Sequence, residues 1–332
     1  MENKKYKAVV IGCGRIGAEI FRYRKKIGPA THAEAYQTNP RVELLGLVDT
    51  DPKKLKAAGR YFPKALLFNS AEEMFQKIKP DVVSVATPAG SHFSLVKLAA
   101  KFKTPAIVCE KPIAESIKDA GEMIKTCREN KSLLFINHQR RFSKSIREWQ
   151  KNIKKGFLGE IIQGNSYYYN GLFNGGTHTV DLLIFFLGKI DWVRATINKR
   201  TSWKKDDKNI DAWLGFKNGA LVAIQSLPRN YTFANFYFYG TKGRIAIKNL
   251  AYNLEYQKLV KNRDYKGYYQ LASPRIYKEK KNFMVSMISH VVNCLDGKEK
   301  PVSSGEDGLA ALRILFALKE SAENNSKIIR MK

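Results

Sequence analysis

The chain has 332 residues, 44% of them hydrophobic, which is room for two domains of ordinary size and too apolar for a disordered chain. No apolar run reaches the roughly 18 residues that cross a bilayer, and Met1 to Lys7 lead into a strand-like run without a signal-peptide core, so a cytoplasmic location is expected. The formal net charge of +28 comes from dispersed basic pairs such as Lys25-Lys26, Lys154-Lys155 and Lys204-Lys205. Dispersion fits a solvated lysine-rich surface; the alternative is long-range attraction of an anionic small molecule. No basic stripe or aromatic stacking motif points to a specific nucleic-acid partner. Cys13, Cys109, Cys127 and Cys294 stand apart, without Cys-x-x-Cys or zinc spacing, so neither a disulfide framework nor a metal is expected.

In chain order, Lys7 to Ile11 is a short apolar run that reads as a buried parallel strand and ends at Gly12-Cys13-Gly14-Arg15-Ile16-Gly17. A helix-like stretch follows. Glycine at 12 permits a tight turn, at 14 lets the backbone approach a pyrophosphate, and at 17 allows close helix–strand packing. The phosphates then meet the N–H groups of a helix start. A second strand, Val42 to Val48, ends in Asp49, a carboxylate placed to bind both adenosine ribose hydroxyls and to repel a 2′-phosphate, which favours NAD(H) over NADP(H). Asp51 before Pro52 reads as the cap of the next helix. The interval from Gly17 to Asp49 exceeds the usual spacing of about 20 residues, and the excess is placed in Phe21 to Ala30, where Gly28-Pro29 breaks any helix.

Strand-like Asp81 to Ala86 runs into Thr87-Pro88, helical spacing covers Ser94 to Phe102, and strand-like Ala106 to Cys109 runs into Glu110-Lys111-Pro112. Strand, helix, strand at this period builds a parallel sheet whose ligands gather at the strand carboxyl ends. Lys111 stands at such an end, where a lysine can hold a reacting oxygen and exchange a proton. On position alone it reads equally as a surface lysine.

From about residue 143 the pattern changes. Trp192 to Thr196, Ala212 to Phe216, Ala220 to Gln225 and Phe233 to Tyr239 read as strands, with Lys217-Asn218-Gly219 as a turn between two of them. Tyr167, Tyr168 and Tyr169 alternate along another strand, so at least one is expected to face a cleft. In Gly175-Gly176-Thr177-His178-Thr179-Val180-Asp181 the histidine and aspartate share one helical face, which suits a proton relay; a helix-start cap with a structural Asp is the alternative. The expected fold is α/β: an N-terminal Rossmann doubly wound parallel sheet over residues 1–142. A C-terminal α+β domain with a large, mostly antiparallel sheet follows over 143–332.

These motifs resemble the glucose–fructose oxidoreductase / inositol dehydrogenase / rhizopine-catabolism (Gfo/Idh/MocA) family through nearly the whole chain. Arg15-Ile16-Gly17, Ala86-Thr87-Pro88 with His92, and Glu110-Lys111-Pro112 fit its cofactor half. Asn137 to Phe142 fits the passage between its halves, and Ser304 to Gly308 the start of its last helix. The resemblance implies Lys111 and His178 as catalytic residues. It implies Gly12, Gly14, Arg15, Ile16, Gly17, Asp49, Thr87, Pro88, His92, Glu110 and Gln139 on the dinucleotide, and Arg141, Tyr168, Asn174 and Asp181 on the substrate. It also implies a homodimer or homotetramer. Inositol-type relatives often carry Asp four positions before the histidine; Asn174 stands here, and an amide suits sugar hydroxyls or an acetamido group. An NAD(H)-dependent oxidoreductase acting on a secondary hydroxyl of a sugar, sugar acid or nucleotide sugar is expected. A sensing module without turnover is the alternative.

Overall fold

The computed structural model describes residues 4–19, 28–231, 233–279 and 282–331. Six strands, β1 (Tyr6–Ile11), β2 (Val42–Val48), β3 (Leu66–Phe68), β4 (Val82–Val85), β5 (Ala106–Cys109) and β6 (Leu133–Ile136), form one sheet in the order β3-β2-β1-β4-β5-β6. Every pair of neighbours is parallel. Its central strands β4 and β5 are buried at every residue, as a sheet covered on both faces requires. The order reverses between β1 and β4, the place where such sheets bind ligands outside their carboxyl ends. Helices α1 (His32–Gln37), α2 (Pro52–Tyr61), α3 (Ala71–Lys77), α4 (His92–Lys101) and α5 (Ile117–Glu129) make the crossovers. Asp51 caps α2 by accepting from the Lys53 N–H, with Pro52 in its first turn.

The helix expected directly after the glycines is interrupted. Gly17, Ala18 and Glu19 turn back on the Gly14 carbonyl, and then His32 N–H donates to Ile16 O (2.9 Å) and Ala33 N–H to Gly17 O (3.0 Å). In an uninterrupted helix those bonds belong to residues four positions on. Helix α1 therefore continues the helix that the glycine turn begins, with the surplus chain spliced between. Thr31 restarts it through a capping box with Glu34. The segment Phe21 to Ala30 expected to hold the surplus lies largely outside the described residues.

The second sheet comprises β7 (Ile161–Tyr169), β8 (Ile190–Ile197), β9 (Ile210–Phe216), β10 (Leu221–Leu227), β11 (Phe236–Gly240), β12 (Gly243–Lys248), β13 (Asn253–Lys261), β14 (Tyr269–Leu271), β15 (Arg275–Lys278) and β16 (Ile329–Arg330). Its order is β14-β13-β12-β11-β7-β10-β9-β8-β16, with β15 on β13. Only β7 and β10 run parallel; the other pairs are antiparallel. Helices α6 (Lys144–Lys154) and α7 (Thr177–Leu187) belong with it.

One expectation about domains is corrected. The chain divides into Met1–Ser143 with Lys281–Leu309, and Lys144–Lys280 with Ala310–Lys332, so the second unit is not contiguous. The cause is α8 (Phe283–Leu295): its Met284, Met287, Ile288, Val291 and Val292 complete the core formed by Tyr6, Val10, Tyr36, Leu47 and Phe135. Asp296, just past its end, takes the Arg41 guanidinium through two bonds (2.6 and 2.8 Å) and the Tyr6 hydroxyl (2.6 Å). A last helix, α9 (Gly305–Glu323), follows. Among the described residues no helix is long and apolar enough to cross a membrane.

Candidate active site

At the carboxyl end of β1 the chain turns through Gly12, whose φ of +98° disfavours any side chain. A Cβ there would lie 2.7 Å from Ala86 O, and one at Gly17 would lie 1.8 Å from Gly12 O. A Cβ at Gly14 would meet nothing within 4 Å, so the turn opens on that side. Arg15 is exposed beside it, and Ile16 packs against the core. Asp49, at the end of β2, holds this turn: one carboxylate oxygen accepts from Cys13 N–H (2.7 Å), the other from Asp51 N–H (2.8 Å). Each oxygen keeps a further lone pair for a ribose hydroxyl. Burial pushes the Cys13 thiol up to about 12, aided by the Asp49 charge, so it is an inert filler of the turn.

The next two strand ends are tied together by His92. One ring nitrogen lies 2.9 Å from Thr87 O, the other 3.0 Å from Pro112 O. The ring is 1% exposed and clamps the two turns together. Thr87 Oγ1 accepts from Ser91 Oγ–H at 2.7 Å, and Pro88 precedes that turn. Glu110 stands at the end of the neighbouring strand β5. It is buried, and its Oε1 receives Asn137 Nδ2–H (2.5 Å) and lies 3.1 Å from His32 Nε2. Burial alone would raise its carboxyl. The bond to His32, that ring's charge when protonated, the Lys111 ammonium and Asn137 together outweigh burial and bring it to about 2. Lys111 follows it, half-buried, joined to Pro112 by a cis peptide.

Gln139 lies half-buried in the short turn Gln139–Phe142. Arg141, expected on the substrate, is instead 3% exposed, with its guanidinium on Asp307 (2.7 Å) and Val302 O (3.3 Å). It fastens that turn to the chain returning after α8.

In the second unit, α7 carries His178, half-buried, and Asp181, 1% exposed. A π-type turn, Leu172–Gly176, delivers the chain into it. A Cβ at Gly175 would sit 1.7 Å from Tyr169 O, so the segment that holds Asn174 and leads to His178 presses on the end of β7. Tyr168 is corrected as well. It is 1% exposed, and its hydroxyl donates to Ile210 O (2.8 Å) and accepts from Ile210 N–H (2.7 Å), which spends it on the core. Tyr167 and Tyr169 are the half-buried members of that run, and Tyr167 packs on Phe233.

Two anchors of this segment escaped the sequence reading. Asp207 accepts Phe173 N–H (2.9 Å) and Asn174 N–H (3.2 Å), while burial pushes its carboxyl up against those bonds. Asn209 accepts Gly171 N–H (2.8 Å) and donates to Thr201 O and Leu227 O. Both are single polar letters in a lysine-rich run, with no periodicity to betray them. In the first unit His32 and Ser84 were missed too, although Thr31-x-x-Glu34 is a legible capping signature.

With these two arrangements known, comparison with known proteins decides the family. A profile described as an oxidoreductase family with an NAD-binding Rossmann fold matches residues 6–138, and the C-terminal alpha/beta domain of the oxidoreductase family matches residues 170–329. The chain belongs to the Gfo/Idh/MocA oxidoreductase family. D-apiose dehydrogenase of Rhizobium rhizogenes is 27% identical over 68% of this chain and 66% of its own length. D-apiose dehydrogenase of Paraburkholderia graminis is 24% identical over 98% of this chain and 90% of its own. Among solved structures, WlbA dehydrogenase from Bordetella pertussis, in complex with NADH and UDP-GlcNAcA, shares the fold with a TM-score of 0.81. It is 22% identical and covers 100% of this chain and 99% of its own. The first unit of this Gfo/Idh/MocA protein thus contains an NAD-binding Rossmann domain. The open side of Gly14 and the free lone pairs of Asp49 fit that cofactor's pyrophosphate and ribose.

Proposed function

We propose that this protein is a sugar dehydrogenase in which Lys111 and His178 manage the proton of a secondary hydroxyl while NAD(H) exchanges the hydride. The observation that carries the reading is Lys111 at the carboxyl end of β5, beside a buried carboxylate, in the sheet that bears the dinucleotide turn. An ammonium there donates to the carbinol oxygen and stabilises the negative charge that grows on it as the hydroxyl loses its proton, charge that then collapses into the carbonyl as the carbon gives up hydride. The imidazole of His178 receives the hydroxyl proton, and Asp181, three residues on in the same helix, is assigned to orient it. Asn174 binds hydroxyl or acetamido groups through its amide. Gly12, Gly14, Gly17, Asp49, Thr87, Pro88 and Gln139 are the residues assigned to the cofactor, with the carboxylate of Asp49 selecting NAD over NADP.

The relatives support a polyhydroxy substrate: D-apiose dehydrogenases by name, and a nucleotide-sugar acid bound to the WlbA enzyme. The net charge of +28 favours an anionic member of that class, a sugar acid or nucleotide sugar. A cytoplasmic homodimer or homotetramer completes the proposal. The test is nicotinamide absorbance recorded while free sugars, sugar acids and nucleotide sugars are added with NAD, and keto-sugars with NADH. Turnover of one class, lowered by about 10²- to 10⁴-fold in Lys111→Ala with NAD affinity retained, is expected. Silence across both panels, despite NAD binding, overturns it.

A further inference from the structure

In the second unit β7, β8 and β10 run in one direction: β10 is parallel to β7, and β9 lies antiparallel between β8 and β10. Their carboxyl ends therefore meet at one end of the sheet. After β7 the chain forms the segment that holds Asn174 and leads to His178, after β8 the connection 198–209, and after β10 the stretch with Pro228 and Arg229. Asn209, wholly buried, ties all three together. Its Oδ1 accepts Gly171 N–H, and its Nδ2–H groups donate to Thr201 O (2.9 Å) and Leu227 O (3.1 Å). Asp207 adds its bonds to Phe173 N–H and Asn174 N–H, and Thr201 Oγ1 lies 3.0 Å from Ser226 Oγ. The two later connections are thus fixed to the segment assigned to substrate.

On this frame stands Trp203, 44% exposed, with two cations on its ring. Arg229 places its guanidinium carbon 4.4 Å from the ring centroid, and the Lys204 ammonium lies at 5.1 Å. The negative face of the indole attracts each of them, while they repel one another. Among the described residues neither is in an ion pair, and Asp207, the carboxylate that feels the Lys204 charge, spends its oxygens on two N–H groups. The same connection adds Lys199, Arg200, Lys205 and Lys208 against Asp206. A guanidinium held on an aromatic face keeps its fork of N–H groups for an oxyanion, and holding it there beforehand lowers the ordering cost of binding. A carboxylate brings one charge, which a single arginine matches. A phosphate brings up to two and three acceptor oxygens, which suits a guanidinium and an ammonium together.

We propose that Arg229 and Lys204, held on Trp203, bind a phosphate group of the substrate, so that the sugar offered to Asn174 and His178 is a phosphorylated or nucleotide-linked one; this deepens the dehydrogenase reading and rests on it for the roles of those two residues.

The experiment needs no turnover. Calorimetric titration of the full chain, with NAD saturating so that the dinucleotide turn is filled, uses uridine diphosphate, glucose 1-phosphate, glucuronate and glucose as probes. Both phosphates are expected to bind more tightly than glucuronate or glucose, and less tightly as salt is added. Arg229→Gln and Trp203→Ala, both at exposed positions, should raise the Kd for the phosphates about ten- to a hundredfold, and Trp203→Phe should keep most of the affinity. Phosphate binding indifferent to Arg229→Gln and Trp203→Ala, or no binding of either phosphate, overturns the proposal. Preferential binding of glucuronate, lost in Arg229→Gln, also overturns it and gives the cations to a carboxylate. Turnover of a free sugar without phosphate binding would remove the site and keep the dehydrogenase reading. Phosphate binding lost in Arg229→Gln beside silent sugar panels would do the reverse.

Discussion

Asp49 shows how one side chain serves structure and recognition together. Its two oxygens hold Cys13 N–H and Asp51 N–H, and the same carboxylate is assigned to the adenosine ribose. Asp49→Ala is therefore expected to raise the Kd for NAD and to erase its preference over NADP. The change should be about ten- to a hundredfold, the worth of a hydrogen bond to a charged group. Binding of both cofactors by titration checks it; a uniform loss with the preference intact would reduce Asp49 to an anchor of the turn. Residues of this kind were legible because they end apolar runs or sit in a motif, as Lys111 does in Glu-Lys-Pro. For His92, Glu110, Arg141 and Tyr168 the direction of the side chain was not legible. Whether a polar side chain faces in or out depends on partners such as Pro112, His32, Asp307 and Ile210, which lie far away in sequence.

Among elements, β2 and β5 were legible to the residue, because a buried parallel strand is a continuous apolar run bounded by turn residues. Helix α8 was not assigned to the first unit, since an apolar helix does not announce which core it completes. Its Met287 is wholly buried in that core, and Met287→Ala is expected to destabilise the unit by about 2–5 kcal/mol, measurable by denaturant titration. Two carboxylates tie this region to pH. Glu110 is held down to about 2, and Asp296 is held well below its ordinary range by bonds from Arg41 first and then Tyr6. A carboxylate depressed on folding stabilises fully above its unfolded value and ceases to as pH falls through its folded one. The Tm is thus expected to be level near neutrality and to decline as pH falls from about 4.5 toward 2. Asp296→Asn should shallow that decline in calorimetry at several pH values. A Tm that holds steady through this window would contradict both pairings.

For the whole molecule the charge of +28 acts on encounter more than on fold. If the substrate is anionic, kcat/KM is expected to fall by about tenfold or more as salt shortens the screening length from tens of ångströms to a few, while a neutral sugar analogue shows little change. Equal salt dependence for both would remove charge as a reason for preferring acids or nucleotide sugars. The division into units carries its own expectation. Residues 1–143 alone lack Met284, Met287, Ile288, Val291 and Val292 and should be insoluble or bind hydrophobic dyes, whereas the full chain is expected to do neither.

The helix resumed at His32 separates two distances that fingerprint spacings treat as one. Ile16 and His32 are neighbours by hydrogen bond, so the cofactor turn does not register how many residues stand between Glu19 and Gly28. The free energy of closing a chain over that junction grows only with the logarithm of its length. A fluorescent or affinity module grafted there would ride on the rod whose other end meets the dinucleotide. It should leave the cofactor turn, the sheet and the lysine as they are, and an unchanged Kd for NAD in the grafted protein checks this.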